Sequence, residues 1–394
     1  MKRKNVFLRL WQLWMRELKF FSTRPLMLVV MFIAPVTLLV FFLSLMSAGL
    51  PTDLPAGIVD EDNTSTTRTL VRTLDAMENT DLRYSYSSLT EAREAMQRGE
   101  IYAFFHIPAG TTERALSQRR PKIGFYTNDA YFIAGSLLMR DMRTASEMIG
   151  MGISRQTFLA KGMADDAAMA AVRPIAIEAH PLGNPVLDYS VYLSNIIVPG
   201  CILLLVLIFT PYTIGLEWKR GKQRRVYNRL AGQSSTVFLA GKLVPQALLF
   251  SLMMLLCDVV FYKYLHFPCK CGMWMMFFIG VLCILAAQCF GVFVYGLLQG
   301  NMRFAMSVCS LWGIVSFSIS GLSFPTMAMD PILQAAAWLF PLRHYYLLYV
   351  NQALHGYPLL FAWPSIVALL CFLLLPLLTL PLYRHAFRHA KYKP

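Results

Sequence analysis

Apolar residues in this chain gather into long uncharged runs, set between short basic stretches and one long segment of mixed character. Five runs contain no Asp, Glu, Lys or Arg: residues 25–52, 189–216, 271–302, 304–329 and 356–383. A sixth, 243–262, carries the acidic residue Asp258. A helix needs about 20 largely apolar residues to cross a hydrocarbon core of roughly 30 Å, so the pattern predicts six spans. A seventh apolar patch, 335–350, is broken by Pro341, Arg343 and His344. It predicts a re-entrant or interfacial element within 328–350. Ahead of the first run, Arg9, Gln12, Arg16 and Lys19 recur at helical spacing as a narrow polar stripe, with Leu10, Trp11, Trp14, Leu18 and Phe21 around it. That predicts a helix lying in the interface over residues 1–24. Arg24-Pro25 separates it from the first span, 25–50.

Residues 51–188 change rhythm. Short β-prone runs at 56–59, 82–86, 101–107 and 122–126 alternate with helical patterns at 64–77, 88–98, 110–118 and 130–161. The second helix opens on Ser-Leu-Thr-Glu, a capping-box pattern, and ends at Gly99. Strands alternating with helices predict an α/β domain. At roughly 140 residues it is large enough to bury its own core. The expected fold class is therefore a polytopic α-helical membrane protein of six spans with an inserted α/β domain. Five spans occupy 189–386 and a short tail follows at 387–394.

Composition sharpens this. The chain is 56% hydrophobic and 15% charged over 394 residues, with a formal net charge of +14; a soluble domain carries about 25% charged residues. The basic excess first points to nucleic acid, but its placement excludes that. Residues 51–190 hold 14 Lys/Arg against 18 Asp/Glu, and the rest of the chain 22 against 4. The excess flanks the apolar runs, at Lys2 to Arg24, at Lys219 to Lys242 and at Arg384 to Lys393. By the positive-inside rule these segments lie in the cytoplasm and residues 51–188 outside. The expectation is a multi-pass protein of the inner (plasma) membrane with both termini cytoplasmic. The start of the chain lacks the pattern of a cleavable signal peptide.

All eight cysteines fall outside 51–188, so disulfides do not staple that domain. Six sit in spans, as small packing residues. His266, Cys269 and Cys271 cluster in an external turn, but they lack a fourth ligand and the spacing of a structural zinc site. No metal is expected. Asp258, about 22 Å along its helix, is expected to snorkel to the outer interface or to pair with Lys263. No phosphate-binding loop is present: Gly232 and Gly241-Lys242 are nine residues apart where five are needed, and Leu243 stands where Ser or Thr should follow. The chain is expected neither to hydrolyse ATP by itself nor to be an enzyme.

The order of these features resembles the membrane subunits of ABC-2-type (type V) exporters over nearly the whole length. Gly57-Ile-Val-Asp60-Glu-Asp62-Asn63 is similar to the family's first external strand and turn, and Gly99 to Pro108 to a later strand. Glu217 with Gly221, and then Gly241-Lys242, resemble its cytoplasmic segment. Ser320-Gly321, Phe324-Pro325, Met329, Pro331 and Pro341 resemble the stretch after the fifth span, with Asp330 inserted where the family usually has Met-Pro. The resemblance implies a cytoplasmic ABC ATPase subunit that binds ATP and Mg, and a second copy of the chain or a close paralogue. A periplasmic adaptor stays open as a further partner.

On this reading residues 217–242 are the coupling segment, with Glu217, Arg220, Gly221, Arg224, Arg225 and Leu230 as its contacts. The same basic run also reads as an ordinary positive-inside loop. Glu217 is expected to pair with the Arg3–Arg24 flank, with Arg220 and Arg224 as the alternatives, because a carboxylate at that depth is costly unless paired. Asn195, Thr210 and Thr213 in the second span and Ser316, Ser318 and Ser320 in the fifth are candidates to line a pathway. They read equally as hydrogen bonds between helices. Gly296 and Gly300 are a packing signal. The expected cargo is a hydrophobic or amphipathic compound, with glycan or lipid-linked polymer export as the alternative. A membrane-anchored sensor with an external ligand-binding domain is the competing class.

Overall fold

The structure, a computed structural model, describes residues 6–47, 49–117, 119, 121–172, 183–184, 188–298 and 301–389. It divides into two compact units, residues 1–47 with 181–394 and residues 48–180. Lys2, Arg3, Lys4, Gly300 and residues 390–394 of the expected tail lie outside the described residues.

The first unit opens with helix α1 (Val6–Thr23). Leu13, Glu17 and Phe21, one turn apart, face the protein, while Phe7, Trp11, Met15 and Leu18 are exposed. A helix with an apolar exposed face is suited to lie against lipid. Among the described residues, six helices long and apolar enough to span a membrane follow: Pro25–Leu45, Ser190–Lys219, Ser235–Tyr264, Met273–Leu298, Met302–Ile319 and Leu359–Phe387. The third begins earlier than its apolar run, because Ser234 Oγ accepts the Val237 amide as an N-cap. Lys242 therefore lies inside a helix. The fifth ends ten residues before the run does. Gly321, with φ of 99°, and Pro325 stop it there. Past this break, Asp330 Oδ1 accepts the Ile332 amide at 2.9 Å and Pro331 takes the first helical position of Pro331–Ala337. The inserted Asp330 is thus a cap. A second short helix, Pro341–Leu348, is anchored where the Tyr349 hydroxyl donates to the Val191 carbonyl at 2.9 Å.

The second unit is a four-stranded sheet in the order β2-β1-β3-β4, from β1 (Leu54–Asp60), β2 (Thr80–Ser85), β3 (Ala103–Ile107) and β4 (Gly124–Thr127). β1 runs parallel to β2 and β3, and β4 antiparallel to β3. Helices α2 (Ser65–Asp75), α3 (Leu89–Gln97), α4 (Thr111–Leu116) and α5 (Phe132–Ala160) connect or follow the strands. Alternation sorts side chains to two faces. Ala56, Ile58 and Phe105 pack with Leu70 and Leu74 of α2 and Leu138 of α5. Val59 and Phe104 pack with Ala92 and Ala95 of α3 on the other. The result is three layers. At the head of α3, Ser88 Oγ accepts the Glu91 amide at 3.2 Å, but the Glu91 carboxylate accepts from Ser87 and not Ser88. The box closes one residue early.

Candidate functional site: an ion network beside a basic helix

Three elements meet where the second span ends. Gly241 of the third span has no side chain, and a Cβ there would lie 2.6 Å from Leu13 Cδ1 of α1. The glycine lets the two helices touch, and the Trp14 indole N–H donates to the Ala240 carbonyl at 3.3 Å. This contact brings four charged side chains together. Lys242 Nζ lies 3.0 Å from Glu17 Oε2 and 3.2 Å from Glu217 Oε1. Arg16 donates to the same Glu217 oxygen at 2.5 Å and reaches Glu17 at 3.4 Å. Glu17, Glu217 and Lys242 are at most 4% exposed. Two acids and two bases thus neutralise one another, three of them buried and Arg16 at the edge of the cluster; pairing offsets the cost of taking such charges out of water.

Glu217 therefore does pair with the N-terminal flank, through Arg16. Arg220 and Arg224 are not its ion-pair partners among the described residues: Arg220 places its guanidinium 4.7 Å from the Phe20 ring centroid. Gly221, at φ of 65°, terminates the second span. Glu17 and Lys242 were missed as network members by the sequence. Glu17 stands beside Arg16 in an amphipathic stripe, and Lys242 looked like the last cation of a loop.

After Gly221 the chain forms a short helix, Gln223–Arg225 continued as a π-turn Val226–Leu230. Val226 and Tyr227 are buried, and Tyr227 stacks on Phe387 of the sixth span at 4.2 Å. Phe387 in turn stacks on Trp218 at 4.9 Å. Lys222, Arg224, Arg225 and Arg229 are exposed and Leu230 is half-buried. The helix presents a cationic outer face and is seated on aromatic rings.

The candidate pathway residues are placed differently. Asn195, Thr210, Thr213, Ser316 and Ser320 are at most 4% exposed, and Ser318 alone is exposed. Asn195 donates to the Val191 carbonyl, Ser316 to Gly313 and Ser320 to Phe317, each within its own helix. Thr210 accepts from Gln246 of the third span at 3.0 Å. Five of the six are buried in the chain's own interior. Gly296 packs closely against Thr379 and Tyr383 of the sixth span.

Asp258 corrects its expectation. Its side chain is 1% exposed, with no hydrogen bond to Oδ2, and no Asp258–Lys263 ion pair occurs among the described residues. Five helical residues turn a side chain roughly 140° around the axis, so Lys263 is exposed while Asp258 faces inward. In the following turn His266 is exposed. Cys269 and Cys271 lie with sulfurs 3.9 Å apart, and the hydrogen bond from Cys269 holds the Cys271 thiol below its ordinary range. Among the described residues no three His, Cys, Asp or Glu side chains are grouped to hold a metal.

Six spanning helices, an N-terminal helix tied to the second and third of them, and an α/β unit between the first and second define a polytopic membrane protein. This chain belongs to the ABC-2 transporter family: the profile described as "ABC-2 family transporter protein" matches residues 25–380. It is also similar to the "Probable multidrug ABC transporter permease YbhS" of Escherichia coli strain K12, and to that of Escherichia coli O157:H7. Each is 24% identical over 156 residues, 39% of this chain and 41% of the relative. The chain thus spans about two fifths of the length of the curated relatives it matches.

Proposed function

We propose that this chain is the membrane-spanning subunit of an ATP-driven exporter, moving a hydrophobic or amphipathic compound out of the cytoplasm or inner membrane. ATP is bound with Mg and hydrolysed on a separate cytoplasmic ABC subunit. The observation that carries the reading is the buried Arg16–Glu17–Glu217–Lys242 network beside the exposed cationic helix. The helix offers Arg225 and Arg229 to an ATPase surface, while its Tyr227 face stays locked on Phe387. Movement of the helix passes through Gly221 to the second span, and the network obliges α1 and the third span to follow. Closure of the ATPase is thereby converted into a tilt of packed helices. The basic flanks support a topology with both termini and this helix in the cytoplasm and residues 51–188 outside. Two such chains, or this one and a paralogue, enclose the pathway. The "multidrug" in the relative's name fits the substrate class.

The test is assembly. The purified chain alone should show no ATPase activity, and the ABC subunit should co-purify with the wild type. Arg225→Glu with Arg229→Glu should abolish co-purification and leave the thermal unfolding of the isolated chain unchanged. Undiminished co-purification would remove the helix from the docking surface.

A further inference from the structure

The unit of residues 48–180 contains a cleft of about 500 Å3 that the transport reading leaves unused. It lies between the first turns of α2, helix α4, the second half of α5 and the residues Arg119, Pro121 and Ile123. Its walls are fixed. Asp62 accepts the Gly110 amide at 2.8 Å, the Thr112 amide at 3.0 Å and the Thr112 hydroxyl at 2.6 Å, which clamps α4 to the turn after β1. The Thr112 hydroxyl above all, with the two amides, holds the Asp62 carboxyl below its ordinary range.

The lining divides by chemistry. Leu70, Ile123, Ile149 and Ile153 make an apolar floor. Four hydroxyls are already engaged: Thr67 with Thr64, Thr111 with Pro108, Thr112 with Asp62 and Thr157 with Ile153. Thr66, Ser146 and Ser154, which also line the cleft, have no hydrogen-bond partner among the described residues. Among the described residues Arg119 is the single charged one in the lining. A cleft of a few hundred cubic ångströms, apolar with a few convergent polar groups, is the usual form of a small-molecule site.

We propose that this cleft binds an anionic amphiphile, its apolar body on Leu70, Ile123, Ile149 and Ile153, its polar groups at Thr66 and Ser146, and its acidic head at Arg119. The site stands on the geometry of this unit and does not rest on the export reading. Binding needs neither ATP nor a partner chain, so its failure leaves the export proposal untouched.

Gly150 makes the test clean. It lines the cleft, and a Cβ built on it meets nothing within 4 Å. A larger side chain there grows into the cleft without displacing the core, and leaving glycine favours the helix. Because the unit has no cysteine, Ala115→Cys, at a lining position with no part in the proposed binding, gives in the full chain, held in lipid nanodiscs, a reporter read on its own peptide by mass spectrometry. The probe is cholate below its micelle concentration, with its uncharged methyl ester as the comparison. At about four times Kd, occupancy should slow maleimide labelling about fivefold. Gly150→Leu should abolish that protection, Gly150→Ala should keep it, and Arg119→Gln should reduce protection by cholate to the level given by the ester. Equal protection in Gly150→Leu, or none in the parent, would overturn the site. Equal protection by cholate and ester in the parent would overturn the anionic assignment.

Discussion

Lys242 is the buried hub of the ion network: Arg16 also reaches both Glu17 and Glu217, but only Lys242 does so from the interior. Removing it leaves two buried carboxylates to share Arg16, which is itself partly in water. Removing a charge at Glu217 instead leaves Lys242 paired with Glu17. Lys242→Met should therefore cost about 3–5 kcal/mol, the range for an uncompensated buried charge, while Glu217→Gln should cost about 1–3 kcal/mol. Thermal unfolding of both variants in one detergent checks the order, and equal losses would contradict the hub. Glu217 was legible in the sequence because a carboxylate at the end of an apolar run demands a partner. Lys242 was not: a lysine after a basic loop looks like a topology signal. Asp258 was misread for a related reason, since polarity near a span end says nothing about which face carries it.

The contact of α1 with the third span depends on one missing side chain. A Cβ at Gly241 would stand 2.7 Å from Leu13 Cβ, an atom fixed to the helix and unable to swing away. Gly241→Val should separate the helices at about 1–3 kcal/mol of overpacking. Trypsin cleavage after Arg16 and Lys19 should then run about tenfold faster, as local opening predicts; an unchanged rate would mean that α1 is held by something else. At this scale the sequence read well. Six spans and all four strands follow from runs and alternation. Helix ends read less well, because they depend on local devices such as the Ser234 cap and Gly321, which a count of apolar residues passes over. The polar residues of the second and fifth spans were readable as either lining or packing. Ser316 and Ser320 can satisfy their hydroxyls on their own helix carbonyls, so their burial was decided by the neighbouring helices.

The whole molecule comprises a membrane unit, in which the ion network ties α1 to the second and third spans, and an α/β unit with its own cleft. Family membership gives the class. In the proposed coupling route, the network makes α1, the second span and the third span move together when the basic helix is pushed. The direct measurement is export against ATP hydrolysis in proteoliposomes holding the chain and its ABC subunit, for wild type and Glu217→Gln. A coupling loss of about 1–3 kcal/mol corresponds to about 5–150-fold. The account predicts an assembled complex that hydrolyses ATP at the wild-type rate while export per ATP falls within that range. Unchanged export per ATP in an assembled Glu217→Gln complex would contradict it.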